Sequence, residues 1–175
     1  MNKFLKTAII ILFSFISISS FAQKKIHWVT WDQMMKKQKI EKRKVIVDLY
    51  TDWCGWCKRM DKTTFTNPVI VDYVNKHYYA VKFNAEQKED LEFEGTIFKY
   101  VKSGRRGYHE FAAALTQNNL SYPTYVFLTK DLNVLQVLPG YRNAKDFEYI
   151  INFFGEDYYK NTPWTKFEKE FQSKL

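Results

Sequence analysis

The sequence predicts a single α/β domain of three layers, a central mixed sheet with helices on both faces, and three observations carry that expectation. Residues 45–50, Val-Ile-Val-Asp-Leu-Tyr, are apolar on both faces apart from Asp48, which suits a central strand covered on two sides. Helical patterns alternate with this run and with a second strand-like stretch, residues 78–84. Two later runs, 125–128 and 134–138, are joined by a turn at Lys130-Asp131-Leu132-Asn133, so a hairpin follows the β-α-β-α-β series.

The elements follow in order. Residues 1–22 stand apart from the fold: Lys3 and Lys6 open a basic start, residues 8–18 are apolar, and Ser20-Phe21-Ala22 is a small-x-small cleavage signal. The pattern predicts a secretory signal peptide cut after Ala22, since the apolar stretch falls short of the ~20 residues that span a bilayer. The remainder, 23–175, is long enough for one domain with a core of its own. Thr30 caps a short helix over 31–37, with Gln33 completing a capping box. A helix runs from Cys54 to about Lys62, and Asn67-Pro68 opens another through about Val74. Residues 91–100 alternate like a small hairpin turning at Glu94-Gly95, Gly104-Arg105-Arg106-Gly107 reads as a flexible basic loop, and a helix resumes over 109–115. Phe147, Ile150, Ile151 and Phe154 recur at helical spacing up to Gly155, and Thr162-Pro163 opens a last helix carrying Trp164, Phe167 and Phe171.

The chemistry lies at Trp53-Cys54-Gly55-Trp56-Cys57-Lys58, which holds both cysteines of the 175-residue chain. A C-x-x-C at a strand-to-helix junction reads as a redox dithiol, because a helix starting at the first cysteine brings the second about one turn later. Cys54 then sits where unpaired amides and the helix dipole favour a thiolate, and it is expected to be the more exposed and more reactive of the two. Haem attachment is excluded by Lys58 in the place of a histidine. Structural zinc lacks ligands, with two thiols and three scattered histidines, His27, His77 and His109. A purely structural disulfide would close too short a loop to restrain the unfolded chain much. No metal and no cofactor are expected.

The formal net charge is +8, and the densest basic cluster is Lys36, Lys37, Lys39, Lys42, Arg43 and Lys44, close to Trp28 and Trp31. Such a cluster raises nucleic-acid binding. A solvated helix face and linker before the first buried strand explains it more simply, and export argues against nucleic acid as a partner.

From about 45 to 154 the chain resembles the thioredoxin superfamily. The likeness rests on the strand with its aspartate, the W-C-x-x-C-K site, Tyr122-Pro123-Thr124 ahead of a strand, and Gly140 after the next one. Cys57-Lys58-Arg59-Met60 with Thr64-Phe65-Thr66-Asn67-Pro68 is also similar to exported thioredoxin-like proteins related to the C-terminal domain of the disulfide-interchange protein DsbD. The resemblance implies an attacking thiol at Cys54, a resolving thiol at Cys57, and a cis-proline at Pro123 whose neighbour Tyr122 pairs with an extended client segment. It implies client contacts from Trp53, Trp56 and Gly140 as well. It makes Asp48 a buried acid beneath Cys57 that accepts that thiol's proton, and Lys82 the lysine paired with it. A carboxylate in an apolar strand needs such a partner or a proton.

Two departures from the family pattern matter. Gly55-Trp56 replaces Gly-Pro between the cysteines, which leaves the direction of electron flow open among reductase, isomerase and oxidase. The stretch before Pro123 is about twice the usual length, with an insertion over 86–108 that is either surface decoration or a wall beside the dithiol that selects partners. The expected activity is exported thiol-disulfide exchange with client proteins bearing cysteines or disulfides, supplied by a membrane electron donor of the DsbD type, by a monomer. A peptide-binding or chaperone module on the same fold is the alternative from another class.

Overall fold

A computed structural model describes residues 24–175, so the segment expected to be a signal peptide lies outside the described residues. A five-stranded mixed sheet has the order β1-β3-β2-β8-β9, where β1 is Trp28–Val29, β2 Lys44–Tyr50, β3 Tyr78–Asn84, β8 Thr124–Leu128 and β9 Val134–Pro139. Strands β1, β3 and β2 run parallel, whereas β8 is antiparallel to both β2 and β9. The sequence missed β1, whose two residues are too few to show alternation.

Strand β2 is buried along nearly its whole length, and its alternate residues feed two cores. Ile46 joins Met60, Phe65, Ile70, Tyr125, Phe127 and Phe147 on one side. Val45, Val47 and Leu49 join Trp31, Met34, Phe83 and Phe111 on the other. The first core is roofed by α2 (Gly55–Lys62), α3 (Pro68–His77) and α5 (Ala144–Gly155), and the second by α1 (Trp31–Gln38) and α4 (Glu110–Leu115). A final helix, α6 (Trp164–Glu170), buries Phe167 against Phe153.

Local chemistry sets the helix ends. Thr30 and Gln33 form the expected capping box on α1. The Asn67 side chain accepts from the amides of Val69 and Ile70, with Pro68 in the first turn of α3. The basic cluster is only partly a solvated face. Arg43 donates to the carbonyls of Asn75 and Lys76 at the end of α3, and the buried Lys44 donates to those of Phe154 and Gly155 at the end of α5. These carbonyls have no partner within their own helices, and a cation there also meets the negative end of the helix dipole.

The 86–108 insertion is two hairpins. In the first, β4 (Leu91–Phe93) pairs with β5 (Thr96–Phe98) around Glu94 and Gly95, both at positive φ. In the second, β6 (Tyr100–Ser103) pairs with β7 (Arg106–His109) around Gly104-Arg105. The expected flexible loop at 104–107 is therefore a tight turn and the start of a strand. It was illegible because its residues are exposed or half-buried apart from His109, so no face carries the hydrophobic alternation that marks a strand. The insertion's two ends are tied together, the His109 amide donating to the Ala85 carbonyl at 2.7 Å.

Candidate functional site

The dithiol stands at the first turn of α2. Cys54 is the N-cap in extended geometry, and its Sγ accepts from the Cys57 amide at 3.0 Å. The two cysteines are joined as a disulfide with Cα atoms 5.3 Å apart. The expectation that Cys54 is the more exposed thiol is corrected in this state: each cysteine is 4% exposed. In this disulfide state both cysteines lie below a rim made by larger side chains.

Aromatic residues build that rim. Trp53 and Trp56, on either side of Cys54, are 49% and 57% exposed. The edge of Trp53 meets Tyr122 at 5.9 Å between centroids, and Trp56 leans on Tyr141 at 5.2 Å. The Tyr122-Pro123 peptide is cis, and the Pro123 carbonyl accepts from the amide of Gly140, which has a φ of +90°. The main chain of Tyr122 makes no hydrogen bond among the described residues, leaving its polar groups open to an extended segment.

Asp48 and Lys82 lie directly across from one another on β2 and β3. Lys82 Nζ is 3.0 Å from Asp48 Oδ2 and also pairs with Asp61 on α2, four residues beyond Cys57. That spacing places Asp61 one turn past Cys57 on the same helix face, so Lys82 ties the buried acid to the helix that carries the dithiol. Asp48 is 1% exposed and its Oδ1 has no hydrogen-bond partner. Desolvation pushes its carboxyl up from 3.8 to about 6, against the pull of Lys82. Burial works against the Lys82 ammonium, but Asp48 and Asp61 outweigh it and hold the lysine above its ordinary value.

Five residues of this region went unread in the sequence, one of them Tyr141, which backs Trp56. Asp61 had a usable signal in its spacing from Cys57. Arg59, whose guanidinium lies 5.9 Å from the Trp56 ring and 6.0 Å from the Tyr141 ring, shares the helix but carries no pattern of its own. Glu86 accepts from Trp53 Nε1 at 3.0 Å, and Arg106 stacks on the Trp53 ring at 4.1 Å. Both come from the insertion: the turn after β3, where the Glu86 amide donates to Asn84 Oδ1, sets Glu86, and the second hairpin carries Arg106 to the Trp53 ring. No group of three or more potential metal-ligating side chains occurs among the described residues.

Fold and site together define a thioredoxin-like domain. The family model described as "Thioredoxin-like domain" matches residues 31–155, well over half of the chain, which therefore belongs to that family. Among curated proteins it is similar to the uncharacterized Caenorhabditis elegans protein B0495.5, 26% identical over 113 residues and 64% of this chain; the chain spans only 14% of that protein. Among solved structures it is similar to a thioredoxin from Thermus thermophilus, with a TM-score of 0.55 and 15% identity over 74% of this chain and 87% of that one. A putative disulphide-isomerase from Bacteroides thetaiotaomicron matches with a TM-score of 0.53 and 23% identity, over 78% of this chain and 98% of that one.

Proposed function

We propose that this chain is an exported thiol-disulfide oxidoreductase that exchanges two electrons with the cysteines of client proteins. The observation that carries the reading is the Cys54–Cys57 pair capping α2 beside the cis Tyr122-Pro123 peptide. In the reducing direction the Cys54 thiolate attacks a client disulfide, forms a mixed disulfide and releases one client thiolate. Cys57 gives up its proton, its thiolate attacks the Cys54 sulfur, and the second client thiolate leaves as the intramolecular disulfide closes. The client gains two electrons and the dithiol loses two. A donor of the DsbD type returns them.

Within this scheme Asp48 takes the Cys57 proton, since a carboxyl raised to about 6 is closer to a thiol's proton affinity than an ordinary one. Lys82 stabilises the carboxylate until it does so. Trp53, Trp56, Tyr122, Pro123 and Gly140 form the surface that receives the client. Reduction or isomerisation is favoured over oxidation by Trp53, by Asp48 and by the DsbD-like residues around the site. Export rests on residues 1–22. The protein acts as a monomer without cofactor or metal.

Insulin reduction by the wild type and a Cys54→Ser variant tests the reading, because serine keeps a good N-cap on α2 while removing the nucleophile. Wild type accelerates precipitation of the insulin B chain and the variant does not. Equal behaviour, with both proteins holding insulin in solution, would instead establish a binding module. Equilibration against glutathione separates reductant from oxidant.

A further inference from the structure

Arg106 and Arg59 give the rim of the dithiol a sign. We propose that the two aromatic pairs, Trp53 with Tyr122 and Trp56 with Tyr141, each bearing one arginine, select client segments whose cysteine is flanked by acidic side chains. The inference rests on the oxidoreductase reading above and adds the class of substrate.

On one side, Trp53 is held by Glu86 on its indole nitrogen and by Tyr122 on its edge, while Arg106 lies on its exposed face. On the other, Arg59 lies near both Trp56 and Tyr141. An arginine stacked on a ring keeps its N–H edge outward, where it meets a carboxylate in a two-point bond. Neither guanidinium is in an ion pair among the described residues. Beside Trp56 opens a shallow cleft of about 620 Å³ lined by Gly55, Trp56, Lys58, Arg59, Lys62 and Thr63, which holds three cations and no acid. Of the neighbouring acids, Asp61 is paired with Lys82, whereas Glu86 has only the neutral Trp53 indole as partner and Asp52 is exposed, so Arg106 shares its side with two carboxylates and the cations without nearby acids lie on the Trp56 side. An extended segment lying along Tyr122 passes between the two arginine-bearing walls, with residues on both sides of its cysteine within their reach.

The test uses symmetric disulfides of short cysteine peptides that carry Asp, Asn or Lys on both sides of the cysteine. Their exchange with the reduced protein is followed by acid quench and alkylation, and each rate is divided by the rate with dithiothreitol to remove the peptide's own reactivity. The Asp peptide reacts faster than the Asn peptide, and the Lys peptide slower, by about two- to fivefold for each arginine engaged. The contrast shrinks in high salt. Arg106→Glu and Arg59→Glu each weaken the preference, and the double variant turns it toward Lys. Equal normalised rates for all three peptides in the wild type would overturn the charge selection and leave the oxidoreductase reading standing. An Asp preference that survives in the double variant would also overturn it, because another surface would then be responsible. Failure to exchange with any peptide would remove both.

Discussion

Asp48 concentrates the conflict between stability and chemistry in a single residue. The sequence announced it as one carboxylate in an aliphatic strand, and that anomaly was enough to mark it as buried and in need of a partner. The partner came only from the family resemblance, which places a lysine at Lys82, and the strand register sets the two side by side. Asp61, the second acid on that lysine, belongs to the helix and becomes a neighbour only when α2 packs on the sheet. Ionising a carboxyl raised from 3.8 to about 6 costs about 3 kcal/mol. Below about pH 3 the acid is largely protonated whether the chain is folded or not, so the cost is small. Between pH 3.8 and about 6 the unfolded acid ionises while the folded one keeps its proton, so stability falls across that window and levels off once the folded acid ionises above about 6. Asparagine never ionises. Asp48→Asn should therefore match the wild type near or below about pH 3 and be more stable above about pH 7, by about 1–2 kcal/mol, because Lys82 loses one partner but keeps Asp61. Release of a mixed disulfide from Cys54 should slow by about a hundredfold near neutral pH as the base disappears. Urea midpoints at the two pH values and single-turnover release are the measurements. Unchanged release with lower stability would make Asp48 a structural acid.

At the scale of elements, reading succeeded wherever burial imposes a pattern and failed where it does not. Strand β3 was read to the residue, and the starts of α1, α2 and α3 follow from Thr30, Cys54 and Asn67, whose side chains meet the first free amides of each helix. The β6–β7 hairpin was not seen as one, although it delivers Arg106 to Trp53. Its pairing is set by close approach: a Cβ on Gly107 would overlap the Val101 carbonyl oxygen and the Tyr100 hydroxyl. Gly107→Ala should push the two strands apart, cost about 1–3 kcal/mol and lift Arg106 off the indole. Gly55 faces open space, so Gly55→Ala serves as the stability control. Chemical denaturation with Trp fluorescence reads both effects. A Gly107→Ala protein with wild-type midpoint and emission would mean that the hairpin tolerates the overlap and does not fix Arg106.

For the whole molecule, the question is whether the insertion is an accessory that a shorter loop replaces. Length alone marked residues 86–108 as extra, and the Ala85–His109 hydrogen bond does bring their ends close enough for a short Gly/Ser bridge. Packing argues the other way. Leu91 is buried in the second core, where Phe93 meets Trp31 at 5.1 Å and Phe98 meets Phe111 at 5.3 Å, so the first hairpin covers the outer side of α1 and α4. His109 is fully buried; its Nδ1 accepts from the Phe111 amide, which puts the proton on Nε2, and Nε2 donates to the Glu89 carbonyl at 3.0 Å within the insertion. A bridge across 85–109 strips three large apolar side chains from the core and leaves a buried N–H without its acceptor. Losing one such side chain costs about 2–5 kcal/mol, against a total stability of about 5–15 kcal/mol for a domain. The bridged chain should therefore unfold at far lower urea than the wild type, or fail to fold cooperatively. Arg106→Gln, at an exposed position of the second hairpin, should keep the wild-type midpoint. The first hairpin is then part of the core and the second is the part free to change with the client. A bridged protein with a wild-type urea midpoint would refute that division and return the whole insertion to the status of a surface attachment.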